Sequence, residues 1–201
     1  MFLYFETIAL IDGKLRNIDL HIDRMKRSIL FHHGIEMTWN VNLKLSCIKI
    51  NNKSKIRVKV MYGPESYHID IESYKPVILN QVIVKNSNLD YKCKYVDRSK
   101  LNELNYNLPR DCEVLVVRNG YITDCLKYNI ILKKSTEWYT PETFLLDGTM
   151  RTFLLQSGLI KTACIRIEDI HLYESFKLIN AMNDFDESPE YPIKMIQIAK
   201  S

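Results

Sequence analysis

Aromatic and β-branched side chains crowd Phe2–Ile11, a stretch that ends at Asp12-Gly13, and this pattern predicts a β-hairpin running on into Leu15. Asp19 then caps a predicted helix in which Leu20, Met25, Ile29 and Leu30 recur at helical spacing, with Gly34 as its stop. A weaker helical pattern covers Val41–Ile50. Apolar and polar residues alternate through Lys55–Tyr62 and again through Tyr67–Tyr74. The two runs are joined through Gly63-Pro64, which predicts an antiparallel pair.

Tyr74-Lys75-Pro76 is the predicted domain junction, because proline closes the second strand and a new apolar run, Val77–Val84, follows it. After Lys94 a short helix over Ser99–Asn107 leads to a strand over Glu113–Arg118, a turn at Asn119-Gly120, and strands starting at Tyr121 and Asn129. Thr149–Gly158 reads as helix, Ala163–Ile167 and Phe176–Ala181 as strands flanking a helix near Ile170, and Phe185–Pro192 as an acidic loop. The fold class is therefore mixed α/β (α+β), with a small N-terminal α/β domain over residues 1–76 and a larger C-terminal mixed-sheet domain over residues 77–201.

Composition narrows the classes. With 46% apolar residues in a chain of 201, a substantial core can be buried. Its 28 basic and 24 acidic residues are interspersed, so the net charge of +4 forms no long basic run and supports no nucleic-acid partner. The five cysteines make an odd count without Cys-x-x-Cys spacing, which speaks against a disulfide framework or a zinc knuckle and for a reducing cytoplasm. Glu6 interrupts the opening apolar residues too soon for a signal peptide, and no apolar stretch is long enough to span a bilayer.

Candidate chemistry is spread along the chain. Lys94 offers an amine that can attack an aldehyde if desolvation or a neighbouring cation such as Arg98 keeps it unprotonated; the bland alternative is a solvated lysine beside Lys92. Asp124 is expected in a turn after an apolar strand, where a carboxylate can pair with a pyridinium nitrogen or serve as an ordinary turn residue. Gly148-Thr149-Met150-Arg151 opens a helix whose first N–H groups and dipole suit a phosphate, or merely cap the helix. His21 and Arg24 share one helix face, and Arg24 can fork onto phosphate oxygens. Lys55, Arg57 and Lys59 share one strand face, either a wet surface or a site for a dianionic substrate. The remaining histidines show no metal-ligand spacing.

Taken in order, these segments resemble the class IV, fold type IV pyridoxal-phosphate enzymes, which include branched-chain and D-amino-acid aminotransferases and aminodeoxychorismate lyase. Phe5-Glu6-Thr7, Ile11-Asp12-Gly13-Lys14 and His21-x-x-Arg24 resemble the family's opening hairpin and helix. Lys94-x-x-Asp97-Arg98 is similar to the Lys-x-x-Asn-Arg of the lyases, and Gly120 through Asn129 to Gly-x-x-Thr-Glu-x-x-x-x-Asn. Thr140-Pro141, Gly148-x-Met150-Arg151 and Asn180-Ala181-Met182 resemble its later segments, the last being nearest the Asn-Ala-Leu of the lyases. Two departures stand out. Asp124 replaces the usual glutamate, one methylene shorter, and the chain starts at the Phe-Glu-Thr strand without the extra N-terminal strands of most members.

The resemblance implies a two-domain fold type IV enzyme whose larger domain is a mixed-sheet pseudo-barrel binding pyridoxal 5′-phosphate. It implies that Lys94 bears the cofactor, that Asp124 meets the ring nitrogen, and that Arg24, Thr149, Met150 and Ala181 meet the phosphate. Arg57 and Lys59 would meet the carboxylates of a small-molecule amine substrate. The implied activity is conversion of 4-amino-4-deoxychorismate to 4-aminobenzoate and pyruvate in folate biosynthesis, by a homodimer. The alternatives are a class IV aminotransferase acting on a branched-chain or D-amino acid, and a protein that keeps the fold without chemistry.

Overall fold

The computed structural model describes residues 2–39 and 55–198. The chain divides into two compact units: Met1–Lys75 with Cys93–Asp97, and Pro76–Lys92 with Arg98–Ser201. Residues 93–97, which the sequence reading grouped with the C-terminal domain, join the first unit because their backbone bonds to its first strand. Phe5 N–H donates to the Lys94 carbonyl and Val96 N–H to the Leu3 carbonyl, both at 2.9 Å.

In the smaller unit, β1 (Tyr4–Ile11) and β2 (Lys14–Leu15) form the expected hairpin. Its turn residues Asp12 and Gly13 have φ of 48° and 73°, the left-handed pair that a two-residue hairpin loop requires. β3 (Ile56–Tyr62) and β4 (Tyr67–Ser73) complete an antiparallel sheet in the order β2-β1-β3-β4. Helix α1 (Ile18–His33) lays Met25 and Ile29 on the face formed by Tyr4, Ile8, Val58, Val60 and Tyr62. Removing the side chain of a residue as buried as Ile29 would cost about 2 to 5 kcal/mol. The helix is capped by Asn17 at φ 50°, not by Asp19. Asparagine tolerates that left-handed backbone, and Asp19 instead lies in the first turn, where its charge faces the positive helix end. Gly34, at φ 65°, closes the helix as expected. The helix predicted over Val41–Ile50 lies outside the described residues.

The larger unit holds two sheets around a shared core. In the first, β5 (Gln81–Asn86) runs parallel to β6 (Cys112–Arg118), and β6 turns through Asn119-Gly120 into β7 (Tyr121–Cys125). β13 (Ile196–Gln197) pairs with β5 at the edge. The second sheet has the order β10 (Lys161–Ala163), β9 (Glu137–Pro141), β8 (Asn129–Lys134), β11 (Ser175–Ile179), β12 (Tyr191–Pro192). Val82, Leu115 and Ile122 of one sheet share a core with Ile130, Leu132 and Phe176 of the other. The alternate residue Ile131 points to the opposite face, where α3 (Thr149–Gln156) packs Met150 and Leu154 upon it. The helix predicted from Ser99 is α2 (Ser99–Leu104). The strand expected over Ala163–Ile167 is instead the three-residue β10 followed by a 3₁₀ helix, Ile167–Leu172. β10 runs parallel beside β9, which fixes where its pairing ends.

Candidate active site

In the smaller unit a buried ionic cluster underlies α1. Glu6, in an otherwise apolar run of β1, is fully buried and accepts from Arg24 at two points, Nε to Oε1 at 2.8 Å and Nη2 to Oε2 at 2.5 Å. Its Oε2 also meets His21 Nδ1 at 2.7 Å. Burial by itself would raise the Glu6 carboxyl, but Arg24 and His21 draw it down to about 2. His21, equally buried, is pushed below the usual histidine range by desolvation, against the pull of Glu6. The fork of Arg24 thus meets a protein carboxylate on one side.

Lys94 is half-buried, with its Nζ 4.9 Å from the centre of the Phe5 ring. Lys59 Nζ lies 5.6 Å from the centre of the same ring. These two residues, read separately from the sequence, are brought together. Arg57 is drawn off to Glu72 on β4 at 3.0 Å, the residue paired with it across the sheet. In the larger unit Arg98 donates to the Leu126 carbonyl at 2.8 Å.

In the larger unit Asp124 is not in a turn but inside β7. Leu115 pairs with Cys125 and Val117 with Ile122, so β7 carries one extra residue between those pairs. Such a bulge re-aims side chains. The Asp124 carboxylate is buried and takes three donors: Asn129 Nδ2 on Oδ1 at 2.8 Å, and the N–H groups of Leu145 and Leu146 on Oδ2 at 2.8 and 3.1 Å. Burial pushes it up to about 6, against the pull of those donors and of Arg151.

Helix α3 starts at Gly148, which supplies no side-chain cap, and its first residues Thr149, Met150 and Arg151 are buried. Arg151 braces the end of β9 and the loop after it: Nη2 donates to the Pro141 carbonyl at 3.0 Å, Nε to Thr140 Oγ1 at 3.3 Å, and the guanidinium stacks 4.5 Å from the Phe144 ring centre. Ala181 sits in a turn organised by Asn180, whose Oδ1 accepts from Met182 and Asn183 N–H at 2.9 and 3.0 Å and whose Nδ2 donates to the Lys127 carbonyl.

These residues suit a phosphorylated aldehyde. Within the smaller unit a primary amine lies against an aromatic ring, where it could meet an aldehyde; within the larger unit a buried carboxylate that accepts from Asn129, Leu145 and Leu146, and an eight-residue helix that begins on glycine without a side-chain cap, are of the kind that suits a phosphorylated heterocycle. Sequence reasoning gave no role to Glu6 or Asn129. The signals were present: an acid within the apolar run Tyr4–Leu10, and an asparagine at the head of an apolar strand. Among the described residues no cluster of histidine, cysteine and acids could hold a metal ion, and no helix is long and apolar enough to cross a membrane.

Residues 3–185 match the family model for amino-transferase class IV, and the chain belongs to that family. Pyridoxal phosphate is the cofactor that this membership supports. An uncharacterized protein of Haemophilus influenzae is 36% identical over 188 residues, which cover 91% of this chain and 99% of that protein. A crystal structure from Haemophilus somnus, described as a "putative 4-amino-4-deoxychorismate lyase", is 30% identical with a TM-score of 0.80, covering 92% of this chain and 98% of that one. A structure from Mycobacterium tuberculosis, described as "a hypothetical aminotransferase" in its PLP-bound form, has a TM-score of 0.77 at 14% identity, covering 98% of this chain and 81% of that one, and shares the fold.

Proposed function

We propose that the protein is a pyridoxal-phosphate-dependent lyase that converts 4-amino-4-deoxychorismate to 4-aminobenzoate and pyruvate. The observation that carries this reading is Lys94 on the Phe5 ring, within a Lys-x-x-Asp-Arg segment like that of the lyases. The 30% identity to the Haemophilus somnus protein supports it. In the smaller unit, Lys94 would hold the cofactor covalently and Arg24, fixed by Glu6, would stand on its phosphate side. In the larger unit, Asp124 would serve the ring nitrogen, and Thr149, Met150 and Ala181 the phosphate. When bound, the cofactor supplies an electron-withdrawing ring that stabilises negative charge beside the substrate nitrogen.

With its amine free, Lys94 would take the proton from the substrate carbon that bears the nitrogen. Lys59, sharing the Phe5 ring, would meet a substrate carboxylate. Arg57 is held by Glu72 and contributes less. We further propose that the protein works as a homodimer.

The test is to incubate cofactor-loaded protein with 4-amino-4-deoxychorismate and measure 4-aminobenzoate and pyruvate. Equimolar release of both, abolished by Lys94→Ala, is the expected result. Conversion of the cofactor to its amine form by an amino acid, with a 2-oxo acid needed for turnover, would assign an aminotransferase instead.

A further inference from the structure

Asn129 opens β8 and is buried. Its Nδ2 donates twice, to Asp124 Oδ1 at 2.8 Å and to the Leu146 carbonyl at 3.1 Å. Both hydrogens of the amide face acceptors, so a flipped amide would set its oxygen against two other oxygens. The orientation is locked, and it aims Oδ1 at the start of α3. A Cβ at position 148 would lie 1.8 Å from that oxygen. Gly148 has φ −73° and ψ 134°, a backbone any residue adopts. It is the contact with Asn129, not the backbone angle, that requires glycine there.

We propose that Asn129 is a positioning residue that fixes, through one amide, both the Asp124 carboxylate on the ring side and the Gly148 start of α3 on the phosphate side. The inference rests on the cofactor reading above and adds a residue that reading leaves without a role. It explains why an asparagine and a glycine nineteen positions apart go together: Asn129 Oδ1 fills the space that the absent side chain of Gly148 leaves, while its Nδ2 holds Asp124.

The full-length protein is compared with Asn129→Ala, Gly148→Ala and the double variant, Asn129→Ser standing in if the alanine variant does not fold. Equilibrium binding of pyridoxal phosphate and of pyridoxal is followed by absorbance. Gly148→Ala is expected to weaken pyridoxal phosphate binding by about tenfold or more, and pyridoxal binding far less, while the same change made in Asn129→Ala costs less than about twofold. The carboxyl resonance of Asp124 is titrated in cofactor-free protein. Loss of the Asn129 donor is expected to raise its midpoint by about one pH unit and to leave Glu6 unmoved. Equal losses from Gly148→Ala in both backgrounds, or an Asp124 midpoint indifferent to Asn129, would overturn the proposal. A protein that binds no pyridoxal phosphate at all would refute the proposed function instead, with the cofactor-free titration still judging Asn129.

Discussion

Arg24 meets Glu6 through two parallel hydrogen bonds of 2.8 and 2.5 Å, with both groups buried beneath α1. Breaking such a pair leaves an uncompensated buried guanidinium, so Glu6→Gln should lower the unfolding free energy by about 3 kcal/mol at pH 7. The folded Glu6 carboxyl, at about 2, titrates below its unfolded value of about 4.3. Its stabilisation is therefore complete above about pH 4.3 and is lost as pH falls toward 2. Denaturant unfolding at pH 7 and pH 2.5 should show the gap between wild type and variant closing in acid.

Asp124 works in the opposite sense. Its folded value of about 6 lies above the unfolded value of about 3.9, so the folded state binds the extra proton between those limits. That contribution is present below about pH 3.9 and is lost as pH rises through 6. Relative to wild type, Asp124→Asn should gain about 2 kcal/mol between pH 4 and pH 7, read from unfolding midpoints in cofactor-free protein. A pH-independent difference would show that Asp124 does not titrate where its burial places it.

Arg151 ties the end of β9 to the 142–147 loop by two hydrogen bonds and a stacked ring, which a lysine cannot reproduce. Arg151→Lys keeps the charge and should still cost about 1 to 3 kcal/mol, seen as a lowered Tm. Faster amide exchange at Leu145 and Leu146 should accompany it, since the same loop supplies their hydrogen bonds to Asp124.

Much of this molecule can be read from its residues. Asp12-Gly13 and Asn119-Gly120 mark their turns because both positions of each pair take positive φ, a demand few residues meet. The alternation in Ile56–Tyr62 marks a strand with one face in the core. What could not be read depends on long-range contact. The return of residues 93–97 to β1 and the capture of Arg24 by Glu6 arise from partners about 90 and 18 positions away, and the bulge that carries Asp124 inward arises from a register shift against β6, none of which a local pattern encodes. The resemblance placed Lys94 and Asp124 in a sequence order; their hydrogen-bond partners came from the fold.

The most direct test concerns the amine of Lys94. Cofactor-saturated protein is reduced with borohydride, digested, and its peptides mapped by mass. The account predicts a reduced pyridoxyl group on Lys94. A modification confined to another lysine, such as Lys59, or no modification at all, would contradict it.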